Sequence, residues 1–423
     1  MTLQTRVTSG RENNFNLLRI IAAAAVLVSH AYPISSGPAT PEPLARFLGM
    51  SLGTLAVLTF FSISGYFISQ SFHNSRSVVE FAVARTLRIY PGLLAVLVLT
   101  VFALGPAFTK NGLADYFLDR ETLLYIPKNL RLWPLQYELP GVFEDNAYPG
   151  AINGSLWTLV YEVACYAMVA MVGMLGLARN GRRFGGFVLA YAICYVAAIS
   201  LLRSDLNHLT IVRNLHLLAL PFVMGMTLFQ FRQWMPLRFS ILVLLGAASA
   251  LSYGSPWFHE LFVLAWSYGI FYLGFFRYEP LLAYNRLADY SYGMYIYAFP
   301  VQQVIAAVYS GSTPTVMTVL SMPLTLLLAI VSWHCIEKRA LAQRSAVSAW
   351  LTRSVKLIKL ALENGLNLLF GKKCEILKVR VSGWTAARPL DGGEPDPGGS
   401  ARKSRAKNTD APAPPYSDRK TDS

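Results

Sequence analysis

The chain has 423 residues, of which 54% are hydrophobic and only 14% are charged, and its mean hydropathy is +0.40. A soluble protein of this length would need about 25% charged residues to cover its surface, so soluble, disordered and disulfide-stapled classes are excluded and the apolar excess must face lipid. The net charge of +14 reflects 37 Lys and Arg against 23 Asp and Glu. In a membrane protein such an excess is typical of cytoplasmic loops, so we expect no nucleic acid as a partner.

Ten segments consist of about 17–24 mostly apolar residues, which is enough for a helix to cross a bilayer. They are residues 15–34, 50–72, 83–104, 155–178, 184–202, 212–231, 238–254, 258–276, 291–310 and 315–336. The sequence therefore predicts an all-α integral membrane protein whose membrane domain, residues 15–340, has about ten transmembrane helices.

The distribution of arginines predicts the orientation of these helices. With ten crossings both termini lie on one side, and ten of the thirteen arginines in short loops fall on that same side. Because short cytoplasmic loops are enriched in Lys and Arg, both termini, including residues 1–14, are predicted to be cytoplasmic.

Three regions depart from this regular pattern. Residues 105–154 form a long extracytoplasmic loop rich in aromatic residues, which suits either a lid that binds a saccharide or packing at the membrane interface. Residues 347–370 fit an amphipathic helix lying on the inner leaflet, and residues 371–423 are predicted to be a disordered basic cytoplasmic tail. The four cysteines have no metal-type spacing, so no metal is expected.

The first predicted span carries two ionisable residues, Arg19 and His30. Eleven residues correspond to about three helical turns, so the two side chains share one face about 16 Å apart along the axis. Ionisable groups at membrane depth are costly and indicate function. The alternatives are a buried packing histidine and an arginine that anchors the helix at the interface.

Glu162 lies in the fourth predicted span, about 9–10 Å below the outer surface at 1.5 Å per residue. His30, on a helix running the other way, falls at a similar depth. A carboxylate beside an imidazole can orient it and raise its basicity. The pair is therefore predicted either to act in catalysis or to be a structural Glu–His contact.

The second predicted span contains small residues, and the third contains two arginines. Arg85 and Arg88 are three residues apart and share a helix face, which suits the phosphates of an anionic cofactor or, alternatively, anchoring at the inner interface. Ser64 and Gly65 allow either close helix packing or a narrow channel for an acyl-bearing arm. Asp289, before the ninth span, lies near the inner surface, where interface anchoring explains it equally well.

Taken in order, these motifs resemble those of the membrane-bound acyltransferase-3 family, which O-acylates bacterial polysaccharides, lipids and other acceptors. The resemblance covers about residues 13–340. It rests on Arg19 with His30, residues 61–68, Arg85 with Arg88, residues 155–157 with Glu162, residues 291–295 and Ile336 with Glu337. Two positions depart from the family pattern: Val163, where many members have Glu, and Phe299, where many have His before Pro300. We assign no role to either.

The resemblance implies an O-acyltransferase of the bacterial inner (plasma) membrane. It would move an acyl group, most readily acetyl, from cytoplasmic acyl-CoA to a hydroxyl of an envelope-side saccharide or glycolipid such as exopolysaccharide or O-antigen. The donor acetyl-CoA would bind through its phosphates to Arg19, Arg85 and Arg88, and Ser64 would line the channel for its pantetheine arm.

The resemblance also implies that His30 acts as general base on the acceptor hydroxyl or as a transient acyl carrier, with Glu162 orienting it. The alternative from another class is a transporter or flippase for a lipid-linked saccharide. That alternative predicts paired repeats in two halves of the chain, and no such repeat is apparent. A scaffolding membrane protein would leave the shared face of Arg19 and His30 unexplained.

Overall fold

The computed structural model describes residues 13–203 and 210–370. Within these ranges the chain forms helices and connecting turns, and its β structure includes an isolated antiparallel bridge between Thr109 and Val142. The predicted all-α class is therefore confirmed. Residues 1–12 and 371–423, the latter being the whole of the predicted basic tail, lie outside the described residues.

Thirteen helices, numbered here in chain order, carry the fold. They are α1 (Phe15–Ser36), α2 (Leu52–His73), α3 (Val78–Leu99), α4 (Leu113–Leu118), α5 (Arg120–Leu130), α6 (Leu159–Met174), α7 (Gly181–Arg203), α8 (Thr210–Gln230), α9 (Phe239–Leu251), α10 (Phe258–Gly274), α11 (Ser291–Val308), α12 (Pro314–Ser332) and α13 (Arg344–Phe370). Two of them continue through π-helical turns, α3 through Thr100–Leu104 and α12 through Trp333–Glu337.

Every apolar segment predicted from the sequence overlaps one of these helices. Seven helices in the described part of the chain are long and apolar enough to cross a membrane. An eighth counts if α10 is joined to the helical segment Glu279–Asn285, from which it is bent by 93°. Helix α9 is apolar but has only 13 residues. The number of ten spans and the orientation of the termini remain predictions.

Helix α3 begins five residues before the predicted span, for a local reason. The Ser77 side chain accepts a hydrogen bond from the backbone N–H of Glu80 at 3.1 Å, which caps the first turn. Arg85 and Arg88 therefore lie about two turns inside the helix and not at its start. This places both guanidinium groups within the bundle.

Close packing of α2 on α8 depends on two glycines. A Cβ atom at Gly65 would overlap the backbone carbonyl of Phe222, and one at Gly225 would overlap the carbonyl of Ser62. Small residues let two helix backbones approach each other in a membrane. Gly65 thus serves close packing, which was one of the two predicted uses of this stretch.

The long loop is mostly folded. Helix α3 extends to Phe108 before the loop begins, and the loop contains α4 and α5. Tyr116, Tyr125 and Phe143 are buried, and the hydroxyl of Tyr116 donates to the carbonyl of Val101 at 2.9 Å. These aromatic residues pack the loop onto α3. Others, including Trp133, remain exposed.

Helix α13 covers the segment predicted to be amphipathic. It packs against the start of α3, where Arg344 forms an ion pair of 3.2 Å with Glu80. Along its described side chains Trp350, Leu357 and Ile358 are exposed. Its place on a membrane surface remains a prediction.

Candidate active site

Helix α1 carries Arg19 near its first residue and His30 near its last. We call the ends of the bundle near these residues the arginine end and the histidine end. A narrow cavity of about 100 Å³ opens at the arginine end and is called the arginine-end cavity. Its polar wall residues are Arg19, Ser64, Arg85, Arg88, Thr158, Glu162, Tyr166, Asp289, Ser291, Tyr292 and Tyr295. The structure thus brings five of the six predicted site residues to one cavity; the sixth, His30, is not part of its wall.

Arg88 is held by two carboxylates from distant parts of the chain. Its guanidinium lies 2.7 Å from Asp289, which precedes α11, and 3.3 Å from Glu337, at the end of the π-helical turn after α12. The Glu337 side chain is only 2% exposed. Buried charges are tolerated when paired in this way. Arg88 therefore ties α3 to α11 and α12.

Arg19 shares one of these partners. Its guanidinium lies 3.1 Å from the same Asp289 carboxylate oxygen that Arg88 contacts. Burial alone would raise the pKa of Asp289, but the charges of Arg88 and Arg19 and hydrogen bonds from Ser291 lower it to about 2. Asp289 is therefore ionised at neutral pH. The sequence offered interface anchoring for this residue, and the structure gives it two arginine partners instead.

Arg85 differs from the other two arginines. Among the described residues no carboxylate lies within ion-pair distance of it, and its buried Nε has no hydrogen-bond partner. Its guanidinium lies 6.0 Å from the ring centre of Tyr166, and the Tyr166 hydroxyl donates to Glu162. A guanidinium in the wall of a cavity, with no carboxylate partner, is suited to bind a phosphate or carboxylate.

Glu162 and His30 are not brought together. Glu162 lies in the wall of the arginine-end cavity and accepts the hydrogen bond from Tyr166. No hydrogen bond or ion pair joins it to His30 among the described residues. The predicted equal depth of the two side chains therefore does not bring them into contact: Glu162 faces the cavity with Arg85 and Tyr166, and His30 lies at the histidine end.

His30 has different neighbours at the histidine end. The carboxylate that acts on it electrostatically is Glu42, which lies between α1 and α2. Ser29 donates a hydrogen bond to Glu42 and accepts one of 2.8 Å from the backbone N–H of Gly53. The imidazole Nδ1 is buried without a hydrogen-bond partner, and the Phe299 ring lies 5.3 Å away, edge to face. A buried ring nitrogen without a partner is available for proton transfer.

Ser64 faces the cavity while its neighbours on α2 face away from it. Ser62 bonds to the carbonyl of Leu58 at 2.8 Å and to Ser267 of α10 at 2.9 Å, and Gly65 packs on α8. The two alternatives for this stretch therefore apply to different faces of one helix. Ser64 has the position predicted for a channel residue.

Three further residues lie at the two ends although no catalytic or binding role was predicted for them from the sequence: Tyr166, Glu42 and Glu337. Tyr166 lies one turn after Glu162, a spacing that could have indicated a shared face. Glu42 follows α1 in an irregular segment, where periodicity gives no signal. Glu337 was part of a motif, but only the π-helical turn directs it at Arg88. No group of three or more His, Cys, Asp or Glu in the described residues could hold a metal ion.

Comparison with known proteins identifies the family of the chain. Residues 12–334 match the family model described as an acyltransferase domain, acyltransferase-3. The chain belongs to the acyltransferase-3 family. It is 31% identical to an O-acetyl transferase of Shigella phage Sf6 over 350 residues, which is 79% of this chain and 98% of that protein.

A second relative matches a shorter part of the acyltransferase-3 domain. Nodulation protein 10 of Rhizobium leguminosarum bv. viciae is 31% identical over 192 residues, 44% of this chain and 50% of that protein. No solved structure matches the chain. The family and the phage relative identify this multi-pass membrane protein as an O-acyltransferase, which decides against the transporter and scaffold alternatives.

Proposed function

We propose that this O-acyltransferase moves an acetyl group from cytoplasmic acetyl-CoA to a hydroxyl of an envelope-side saccharide or glycolipid, in the bacterial inner membrane. The observation that carries the proposal is the arginine-end cavity, whose wall includes Arg19, Arg85 and Arg88 and extends towards the histidine end. Transfer of an acyl group across a membrane requires a binding site for the thioester donor on one side of the bundle and a group that accepts a proton on the other.

The donor binds at the arginine end. Arg85 offers its unpartnered donor to a phosphate of CoA, with Arg19 and Arg88 adding positive charge at the mouth. The nucleotide stays at the mouth of the cavity, and the narrow pantetheine arm enters beside Ser64. The relative named O-acetyl transferase supports acetyl as the group transferred.

The reaction takes place between the inner end of the cavity and His30. The imidazole accepts the proton of the acceptor hydroxyl, the oxygen bonds to the acyl carbon, and the carbon–sulfur bond breaks. CoA leaves as the thiolate and takes up a proton. In the alternative mechanism His30 carries the acyl group. Its imidazole nitrogen bonds to the acyl carbon as the carbon–sulfur bond breaks and CoA leaves. The acceptor oxygen then bonds to the same carbon, and the carbon–nitrogen bond breaks.

Two carboxylates assist at opposite ends. Glu42 has the role that the sequence analysis gave to Glu162: it orients His30 and balances the positive charge that develops on the ring. Glu162 instead holds Tyr166 beside Arg85 and so orders the donor site.

The acceptor binds through the long loop. An open groove of about 680 Å³ in this loop is lined by Gln136, Tyr137, Glu138 and Glu121. Amide and carboxylate oxygens accept hydrogen bonds from sugar hydroxyls, and an aromatic ring packs on a sugar face. A groove of this composition suits a neutral or cationic saccharide.

Helix α13 lies on the inner leaflet. Its exposed Trp350, Leu357 and Ile358 are accompanied by Arg353 and Lys356, a combination that binds an anionic bilayer surface. This orientation puts the arginine end, to which α13 is tied through Glu80, at the cytoplasmic face.

Labelled acetyl-CoA added to membrane vesicles tests the proposal. In inverted vesicles, which expose the cytoplasmic face, we expect label to appear in the extracted glycolipid or polysaccharide, and in right-side-out vesicles we expect none. Matched vesicles carrying His30→Gln should show no transfer. Label in neither orientation, or equal label with His30→Gln, would contradict the proposal.

A further inference from the structure

One aromatic side chain lies against His30 one helical turn beyond the wall of the arginine-end cavity. Phe299 of α11 is 5% exposed, and its ring lies 5.3 Å from the His30 ring and 5.9 Å from the ring of Tyr148 in the long loop. On its other side the ring fills the space beside Gly154, where a Cβ atom would overlap it. The ring is therefore wedged between α1, the loop and the turn that opens α6.

On α11 the wall of the cavity includes a residue one helical turn before this ring. Tyr295 lines the cavity, and its hydroxyl donates to the carbonyl of Ser155 at 2.7 Å and lies 2.7 Å from the Thr158 hydroxyl. Phe299 follows four residues later on the same helix, about 6 Å further towards the histidine end. Among the described wall residues of the cavity neither Phe299 nor His30 appears.

We propose that Phe299 limits the length of the acyl group that the enzyme accepts, and so selects two-carbon donors. This inference rests on the proposed function. The acyl carbon has to come within about 3–3.5 Å of the acceptor oxygen at His30. The alkyl part of the acyl group must then fit in the space that the Phe299 ring leaves at the end of the cavity.

The ring has little freedom to make more room. Its edge already occupies the space that a side chain at position 154 would take, and His30 and Tyr148 close two further sides. Each extra methylene that does not fit a pocket lowers selectivity constants by about 10-fold or more. Acetyl thioesters therefore fit, whereas butyryl thioesters meet the ring.

Binding of acetyl-CoA and butyryl-CoA to the purified full-length protein in nanodiscs tests the inference without an acceptor. For the native protein we expect butyryl-CoA to bind at least about 10-fold more weakly than acetyl-CoA. Phe299→Ala should bring the two dissociation constants to within about threefold of each other, mainly by tightening butyryl-CoA binding. Phe299→Leu should give an intermediate ratio and replaces the alanine variant if that variant does not fold.

A matched control is Phe271→Ala on α10. It removes another buried ring, which packs in an apolar cluster and is not part of the cavity wall. It should leave the ratio of the two constants unchanged. A folded Phe299 variant that keeps the native ratio, or a native protein that does not distinguish the two donors, would overturn this inference alone. Failure of the native protein to bind any acyl-CoA would overturn the proposed donor, and the inference with it.

Discussion

The arginine end and the histidine end of the bundle use charge in opposite ways. At the arginine end three guanidinium groups and the carboxylates of Asp289, Glu162 and Glu337 are crowded together. At the histidine end one imidazole has one carboxylate, Glu42, acting on it and an aromatic ring against its face. The first arrangement can hold a polyanion in place, and the second can move a proton. Placing the two functions at separate ends keeps the arginine charges away from the base.

The arginines also differ among themselves. Arg88 is occupied by two carboxylates, whereas Arg85 keeps a buried donor without a partner. These two residues, three positions apart on one helix, thus differ in their partners, and we propose a structural role for Arg88 and a donor-binding role for Arg85. Substitutions at each end and at each arginine can separate these roles.

His30→Gln is expected to have the largest effect. A positioned general base contributes about 10²–10⁴-fold to rate, so acyl transfer should fall by at least about 100-fold. Binding of acetyl-CoA at the arginine end should not change. The measurement is transfer of labelled acetyl in vesicles together with donor binding in nanodiscs.

A matched control for the histidine is His73→Gln, at the opposite end of the bundle on α2, which should stay active. Transfer by His30→Gln at more than a tenth of the native rate would remove the imidazole from the mechanism.

Arg88→Met should mainly destabilise the fold. Removing one member of a buried ion pair leaves its partner charge uncompensated and costs about 3–5 kcal/mol. We expect a lower midpoint of thermal unfolding in detergent. The double variant Arg88→Met with Glu337→Gln should recover part of the loss, since the stranded carboxylate is then neutral. An unchanged midpoint for the single variant would mean that the pair is not structural.

Arg85→Gln should weaken donor binding and leave stability intact. Loss of a charge-assisted hydrogen bond to phosphate costs about 1.5–3 kcal/mol, or about 10–100-fold in the dissociation constant of acetyl-CoA. Binding of acetyl-pantetheine, which lacks the nucleotide phosphates, should not change. The control is Arg182→Gln, an exposed arginine near the start of α7. Equal loss for both donors would show that Arg85 does not contact the nucleotide.

Glu42→Gln is expected to have the smallest effect. It removes the charge that balances a protonated His30, and we expect kcat to fall about tenfold, which is about 1.4 kcal/mol of the activation barrier. The KM for acetyl-CoA should stay the same, because the donor binds at the other end. Glu42→Asp should retain most of the activity, and a matched Glu279→Gln variant, at an exposed position before α11, should behave as native. A raised KM with unchanged kcat would place Glu42 outside the proton-transfer step.

Much of the fold followed from the sequence because hydrophobic length and helical rise are local properties. All ten apolar segments form helices, and the residues predicted to bind the donor meet at one cavity. Arg19, Arg85 and Arg88 could be grouped because each was predicted to lie near the inner surface, at the start of an outward-running span. Depth along the membrane normal can be read from residue counts.

The partner of His30 could not be predicted by the same means. Rise along a helix predicted a depth for Glu162, but the residues that its side chain contacts depend on which helices are neighbours, and that is a tertiary property. Glu42 lies in an irregular segment and is brought to α1 by Ser29 and Gly53. The role inferred for Phe299 depends on its contacts with His30 and Gly154, which come from distant parts of the chain.

The π-helical turn Trp333–Glu337 makes the arginine end sensitive to chain length as well as to composition. Such a turn is an α-helix that has accommodated one extra residue. If the same five residues had ordinary α-helical geometry, Glu337 would be rotated by about 100° relative to the residues before the turn, and so away from Arg88. An insertion or deletion at the end of α12 that this turn does not absorb would therefore alter the proposed donor site without replacing any of its residues.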